Sequence, residues 1–147
     1  MLLEKHLVKK IVAKSKQLDD GKMKIQLIES GGTGLGIPDI FIRTLNNDVW
    51  IEAKRIVWPK RDNTEITIPF QPGQFGWIRE YIKLDGKCFL AVIVNGGSYN
   101  KKIFMFYKYD IHKTYNLGSF YTLADLILEY NNFDIQQFYT TLDRCRR

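Results

Sequence analysis

Asp39, Glu52 and Lys54 are the residues whose types and spacing could do chemistry in this chain. They fall in "GIPDIFIRTLNNDVWIEAK", residues 36 to 54, which reads as two short apolar strands joined at Asn46-Asn47. Residues two apart in a strand point the same way, so Glu52 and Lys54 share one face and Ile51 and Ala53 the other. Asn-Asn accepts the positive φ angles of a tight hairpin. Pairing about it puts Asp39 opposite Lys54 and Phe41 opposite Glu52. Two carboxylates brought close together stay ionised only if a cation or a hydrogen-bond donor compensates them. Mg2+ would do so, since it takes oxygen ligands from one or two carboxylates, water and substrate phosphate. A lysine on the same face would orient or deprotonate the attacking water, or stabilise charge on the phosphorane. Glu4 is another carboxylate in an apolar setting. It precedes Leu7, Val8 and Ile11 at helical spacing and belongs to their stripe, where it needs a partner such as Lys54 or the site's water. The same residues also fit a plainer arrangement, a cross-strand Asp39–Lys54 ion pair on a solvated face with Glu4 favoured by a helix dipole.

The elements that must position these groups follow from periodicity. Residues 2–17 read as a helix, with Leu3, Leu7, Val8, Ile11 and Val12 on one side and Asp19-Asp20-Gly21 ending it. "MKIQLIES" alternates like a half-buried strand, and two further strands are expected at about 38–45 and 48–57. A second helix should begin near Pro72, send Phe75, Ile78 and Ile82 to the core, and stop near Asp85-Gly86. "KCFLAVIVN" is apolar throughout, as a central strand covered on both faces would be, with "KKIFMFYKY" its antiparallel neighbour. Thr122 and Asp125 resemble a capping box that would start a helix through Leu126, Ile127 and Tyr130; a last helix covers about 133–143. The order implies an α/β single domain over 1–147, a mixed central β-sheet flanked by helices. Its core spans about 2–107, with a C-terminal helical part over about 120–147.

"GIPD…IEAK" resembles the signature of the PD-(D/E)XK nuclease superfamily, with Asp39, Glu52 and Lys54 on a hairpin preceded by a helix bearing Glu4. "PGQFGWIREYIKLDGKCFLAVIV" is similar to the VRR-NUC branch, where a helix with Gln-x-x-Trp precedes a glycine-containing turn and an apolar strand; here these are Gln74, Trp77, Gly86 and the strand from Cys88. The resemblance covers residues 2–95. It departs from the branch at Gln71, where a serine often stands, and it does not extend over 108–147. It implies a restriction-endonuclease-like fold and Mg2+-dependent hydrolysis of DNA phosphodiesters, with Mn2+ as a substitute. It further implies that Asp39 and Glu52 bind metal with the Ala53 carbonyl, that Lys54 assists the water, and that Glu4 and Gln74 support the site. Stand-alone members resemble dimeric Holliday-junction resolvases and are commonly viral or bacterial. A homodimer acting on double-stranded or branched DNA is therefore expected. A non-catalytic DNA-binding or virion structural protein that keeps the fold is the alternative; an RNA-directed or end-directed nuclease would look the same in sequence.

The composition agrees. A chain of 147 residues with 45% hydrophobic and 26% charged residues is an ordinary globular domain, and its net charge of +6 favours a polyanionic partner or a merely cationic surface. Cys88 reads as a buried small hydrophobe, and no Cys/His cluster suggests zinc. "MLLEKHLVKK" lacks the apolar core of a signal peptide and no run approaches the ~18 residues of a membrane span, so an intracellular protein is expected. "GGTGLG" does not follow the dinucleotide-binding order; it suits a close backbone approach or a mobile loop. In "WPKRDN", Lys60 and Arg61 could grip phosphates with Trp58 against a sugar or base, or form a solvated turn. Lys5, Lys9 and Lys16 make one helical face, either solubilising or DNA-facing. His6 and His112 receive no role.

Overall fold

In the computed structural model, the described residues are 1–18, 21–28, 36–61, 63–71, 73–109 and 114–146, without the side chains of 75 and 117. Most of the GGTGLG loop, Asp19-Asp20, Pro72, His112 and the core role of Phe75 therefore lie outside them.

Helix α1 (Glu4–Ser15) buries Leu7 and Ile11, the apolar stripe of the sequence. Strands β1 (Lys24–Leu27), β2 (Ile40–Arg43) and β3 (Asp48–Val57) form a meander. A crossover through the short β4 (Ile66–Thr67) and helix α2 (Gln74–Lys83) leads to β5 (Cys88–Asn95) and its antiparallel neighbour β6 (Lys102–Tyr107). Then come β7 (Thr114–Tyr115), α3 (Leu117–Leu123), β8 (Leu126–Glu129) and α4 (Ile135–Arg144). The main sheet has six strands in the order β1-β2-β3-β5-β6-β8, and β4 pairs with β7 separately. Within the main sheet β3 and β5 run parallel and the other neighbours antiparallel. The expected mixed α/β sheet flanked by helices is thus present in a single domain. Among the described residues no helix is long and apolar enough to cross a membrane.

Every residue of β5 is buried, as its unbroken apolar run demands, and the sheet sits between two cores. On one face Ile40, Ile42, Ile51 and Ala53 pack with α1 and α4; on the other, Leu90, Val92, Phe104 and Phe106 pack with Ile78 of α2 and Phe120 of α3.

Two expectations are corrected. Residues 126–129 are a strand, not the start of a helix. A short apolar run fits either period, and the open edge of β6 settles it by pairing Met105 with Leu126 and Ile103 with Leu128. Asp125 accepts from the Tyr107 N–H and Thr122 bonds back to the Gly118 carbonyl, so neither caps a helix; Asn116 caps α3 instead. The hairpin register is also displaced by two residues. Arg43 pairs with Asp48 and Ile40 with Ile51, which puts Phe41 opposite Trp50 and Asp39 beside Glu52 rather than Lys54. The turn spans residues 44–47, closed by Thr44 N–H to the Asn47 carbonyl at 2.8 Å. The two central residues are therefore Leu45-Asn46 rather than Asn46-Asn47, and the Asn47 side chain donates to the Leu142 and Asp143 carbonyls at the end of α4, at 2.9 and 2.8 Å. A shift of two keeps every side chain on its face, so the site residues stay together.

Candidate active site

The alternation of β2 sends Ile40 and Ile42 into the α1–α4 core and leaves Asp39 and Phe41 on the face covered by α2. On β3, Glu52 and Lys54 point to that same face while Ile51 and Ala53 point away, as the spacing predicted. Asp39 Oδ2 accepts from the Ala53 N–H at 2.8 Å, which fixes the carboxylate against β3. Continuing the register two residues beyond Ile40–Ile51 puts Pro38 opposite Ala53. Proline has no N–H, so it cannot satisfy the Ala53 carbonyl, which in an extended strand lies on the same side as the Ala53 N–H. The Pro-Asp pair thus ends the β2–β3 ladder, supplies a carboxylate in place of one ladder bond, and leaves a carbonyl oxygen beside it.

Glu52 is only 2% exposed and Lys54 only 6%. Lys54 Nζ donates to Gln74 Oε1 at 2.8 Å and lies 3.6 Å from Glu52 Oε1; Gln74 Nε2 donates to that same Glu52 oxygen at 2.9 Å. Gln74 is thereby the hub of the site, and its Oε1 also accepts from the backbone N–H of Gln71. The departure from the branch at Gln71 is therefore a backbone contact here. Phe70 places its ring 5.0 Å from Lys54 Nζ.

Glu52 Oε2 is buried and has no hydrogen-bond partner, and the Asp39 carboxyl, paired across the strands with Glu52, acts on it through its charge. Two ionised carboxylates repel each other, so their proximity calls for a proton or a cation. Burial, and after it the Asp39 charge, pushes the Glu52 carboxyl up to about 8. Burial raises Asp39 too, against the lowering effect of the Ala53 N–H. Asp39, Glu52 and the Ala53 carbonyl are the groups that could hold a hard cation. Among the described residues no three His, Cys, Asp or Glu side chains gather as a ligand cluster.

Glu4 stays apart from this cluster. It is the first residue of α1, half-buried, and acts on Asp39 only through its charge, the weakest of the influences that shift it. The N-terminus that carries it is anchored by Asn95, whose side chain bonds both the N–H and the carbonyl of Leu2.

Sequence reasoning missed the contact that brings α2 down to the strands. Gly36 and Gly73 both have positive φ, 90° and 89°, and a Cβ on Gly36 would lie 2.0 Å from the Gly73 carbonyl oxygen. The signal was present as the glycines of "GIPD" and "PGQ", one on each side of the site. Trp58 is corrected: it is buried at 5% exposure between the rings of Tyr99 and Phe120, so it does not face a ligand. Lys60, Arg61 and Lys5, Lys9 and Lys16 are exposed as expected. His6 accepts from the Leu3 N–H and caps α1. Cys88 is buried, and burial pushes its thiol up to about 12.

No protein-family model matches the chain, and no curated protein matches it in sequence. Among solved structures the chain is similar in fold to Archaeoglobus fulgidus Hjc, a Holliday junction resolvase from an archaeal hyperthermophile, with 10% identity and a TM-score of 0.49 over 84% of this chain and 91% of that one.

Proposed function

We propose that the chain is a metal-dependent endonuclease that hydrolyses DNA phosphodiester bonds, a PD-(D/E)XK enzyme of VRR-NUC-like type, acting on branched or Holliday-junction DNA. The observation that carries this reading is the buried Glu52, with its orphaned Oε2, beside a half-buried Asp39 and a buried lysine. Such a group calls for a proton or a cation, and the nuclease reading supplies the cation. The donor set is all oxygen, which suits Mg2+ or Mn2+ held by Asp39, Glu52 and the Ala53 carbonyl. When bound, the ion supplies Lewis-acid polarisation of the phosphodiester and lowers the pKa of water. The chain's own groups do the rest. Burial favours the protonated form of Glu52, and that proton must leave for the carboxylate to take up a cation. Lys54 Nζ, aimed by Gln74 Oε1, donates to the attacking water or to a phosphoryl oxygen as charge builds there. Gln74 Nε2 holds Glu52 in place, and Glu4 adds negative charge behind Asp39. Branched DNA needs two coordinated cuts, which a two-fold homodimer would deliver. An intracellular, virus- or phage-encoded protein is the setting this reading expects.

One observation favours a second reading. The Glu52–Gln74–Lys54 network is already closed on itself, as a non-catalytic DNA-binding or virion structural protein would tolerate. Incubation of the protein with a four-way junction, a duplex and a single strand, in Mg2+, Ca2+ or EDTA, separates the two. Cutting is expected in Mg2+ or Mn2+ and not in EDTA, and Asp39→Ala should abolish it while DNA binding remains. No cutting of any substrate would favour the binding protein; cutting in EDTA would remove the metal.

A further inference from the structure

The sheet face that carries the site continues past it towards the hairpin tip. Paired residues stand side by side, so the strands lay rows of side chains across this face. Asp39 and Glu52 make one row. About 7 Å further on, at the usual strand rise, Gln26, Phe41 and Trp50 make the next, and Lys24, Arg43 and Asp48 the one after. Lys24, Gln26 and Arg43 are exposed, while Phe41 and Trp50 are half-buried. Arg43 is paired with Asp48 at 3.3 Å, both about half exposed, which leaves the pair open to exchange with a phosphate.

The middle row is aromatic and runs on into α2. Phe41 lies 5.1 Å from Trp50, Trp50 5.4 Å from Trp77, and Trp77 5.0 Å from Tyr81, centroid to centroid. Trp50, Trp77 and Tyr81 lean on the core of this face, and Phe41 ends the row beyond it. Each of the first three rings neighbours a site residue on its own element. Phe41 stands two residues after Asp39, Trp50 two before Glu52, and Trp77 one helical turn after Gln74. A phosphate held beside Lys54 by the cation of the nuclease reading would therefore present its next nucleotide to the rings.

Rings backed by cations recognise an unpaired strand, whose bases are free to stack on them while the phosphates meet Lys24 and Arg43. In a continuous duplex the bases stay stacked on their own neighbours and only the backbone is offered. We infer that the DNA running from the scissile phosphate towards the hairpin tip is unpaired, with a base stacked on Phe41. Forks and flaps with a single-stranded arm at the cut are then preferred to continuous duplex. This inference rests on the nuclease reading, but its test does not depend on turnover.

The test is fluorescence anisotropy in Ca2+ with a forked duplex and a blunt duplex of the same sequence, with 2-aminopurine in the arm next to the fork. The fork should bind about tenfold more tightly, the scale of one base–aromatic stack, and the 2-aminopurine should be quenched. Phe41→Leu should lose both the preference and the quench, while Phe41→Tyr, which keeps the ring, should retain both. Lys24→Gln should weaken the fork more than the duplex. Equal affinity for fork and duplex, or a preference and quench untouched by Phe41→Leu, would overturn the inference. Cutting both substrates equally in Mg2+ would overturn it while leaving the nuclease reading; a fork preference without cutting on any substrate would sink the nuclease reading and keep the stacking surface.

Discussion

On the α1–α4 face of β3, Ile51 and Ala53 are buried among aliphatic and aromatic side chains and need no partner of any particular kind. On the α2 face of the same strand, Glu52 and Lys54 are as deeply buried, yet each depends on named atoms, Gln74 Nε2 for Glu52 and Gln74 Oε1 for Lys54. The first face is held by area removed from water, which is indifferent to direction. The second is held by a few directed contacts and keeps one carboxylate oxygen unsatisfied, a cost that only a proton or a cation relieves. The comparison teaches where stability and chemistry divide. One strand serves both because its two faces alternate residue by residue.

Substitutions on the two faces should then separate the two properties. Ile51→Ala should destabilise the fold by about 2–5 kcal/mol, as large-to-small changes in a packed core do, while the molecules that remain folded cut normally. Glu52→Gln should do the opposite, abolishing cutting while stabilising the metal-free protein. Glu52 rises from its ordinary 4.5 to about 8 in the fold, so the folded state binds its proton more tightly than the unfolded one. The associated stability is fully present below about pH 4.5 and is lost as pH rises through about 8. Thermal melts in EDTA should show wild-type falling relative to Glu52→Gln across that window. Parallel melting curves at pH 5 and pH 8 would remove the account of a proton held on Glu52.

Gly36→Ala strikes the joint between the faces. The new Cβ would meet the Gly73 carbonyl and would demand positive φ of an alanine. A loss of roughly 1–3 kcal/mol is expected, with a fall in activity beyond what unfolding explains, because α2 carries Gln74. Unchanged melting and unchanged cutting would show that the contact does not position the helix. The smallest effect expected is that of Gln74→Leu. It should leave the apolar face untouched and lower apparent Mg2+ affinity or cutting by about 10–100-fold, the range for residues that orient ligands. Full activity in Gln74→Leu would show that Lys54 and Glu52 are held without it.

Much of the site was legible because strand alternation has a period of two and survives errors of register. Asp39, Glu52 and Lys54 were placed on one face from spacing alone, and the two-residue slip in the hairpin left them there. Glu4 was legible as an anomaly on a helix stripe, but not its distance from the cluster, since helical spacing says nothing about where a helix end lies against a sheet. Trp58 was misread because a tryptophan in a polar, basic loop looks exposed until Tyr99 and Phe120 close around it.

The sequence by itself determined which residues alternate, which run is central and which charges share a face, because these follow from local backbone geometry and the avoidance of water by apolar side chains. Only the tertiary structure decided the rest. The edge of β6 turned residues 126–129 into a strand, the carbonyls at the end of α4 bind Asn47 beside a tight turn centred one residue earlier, and two glycines let a helix N-terminus touch a strand entry. Each of these outcomes depends on a hydrogen-bonding group or a surface supplied from elsewhere in the chain, which no local pattern records.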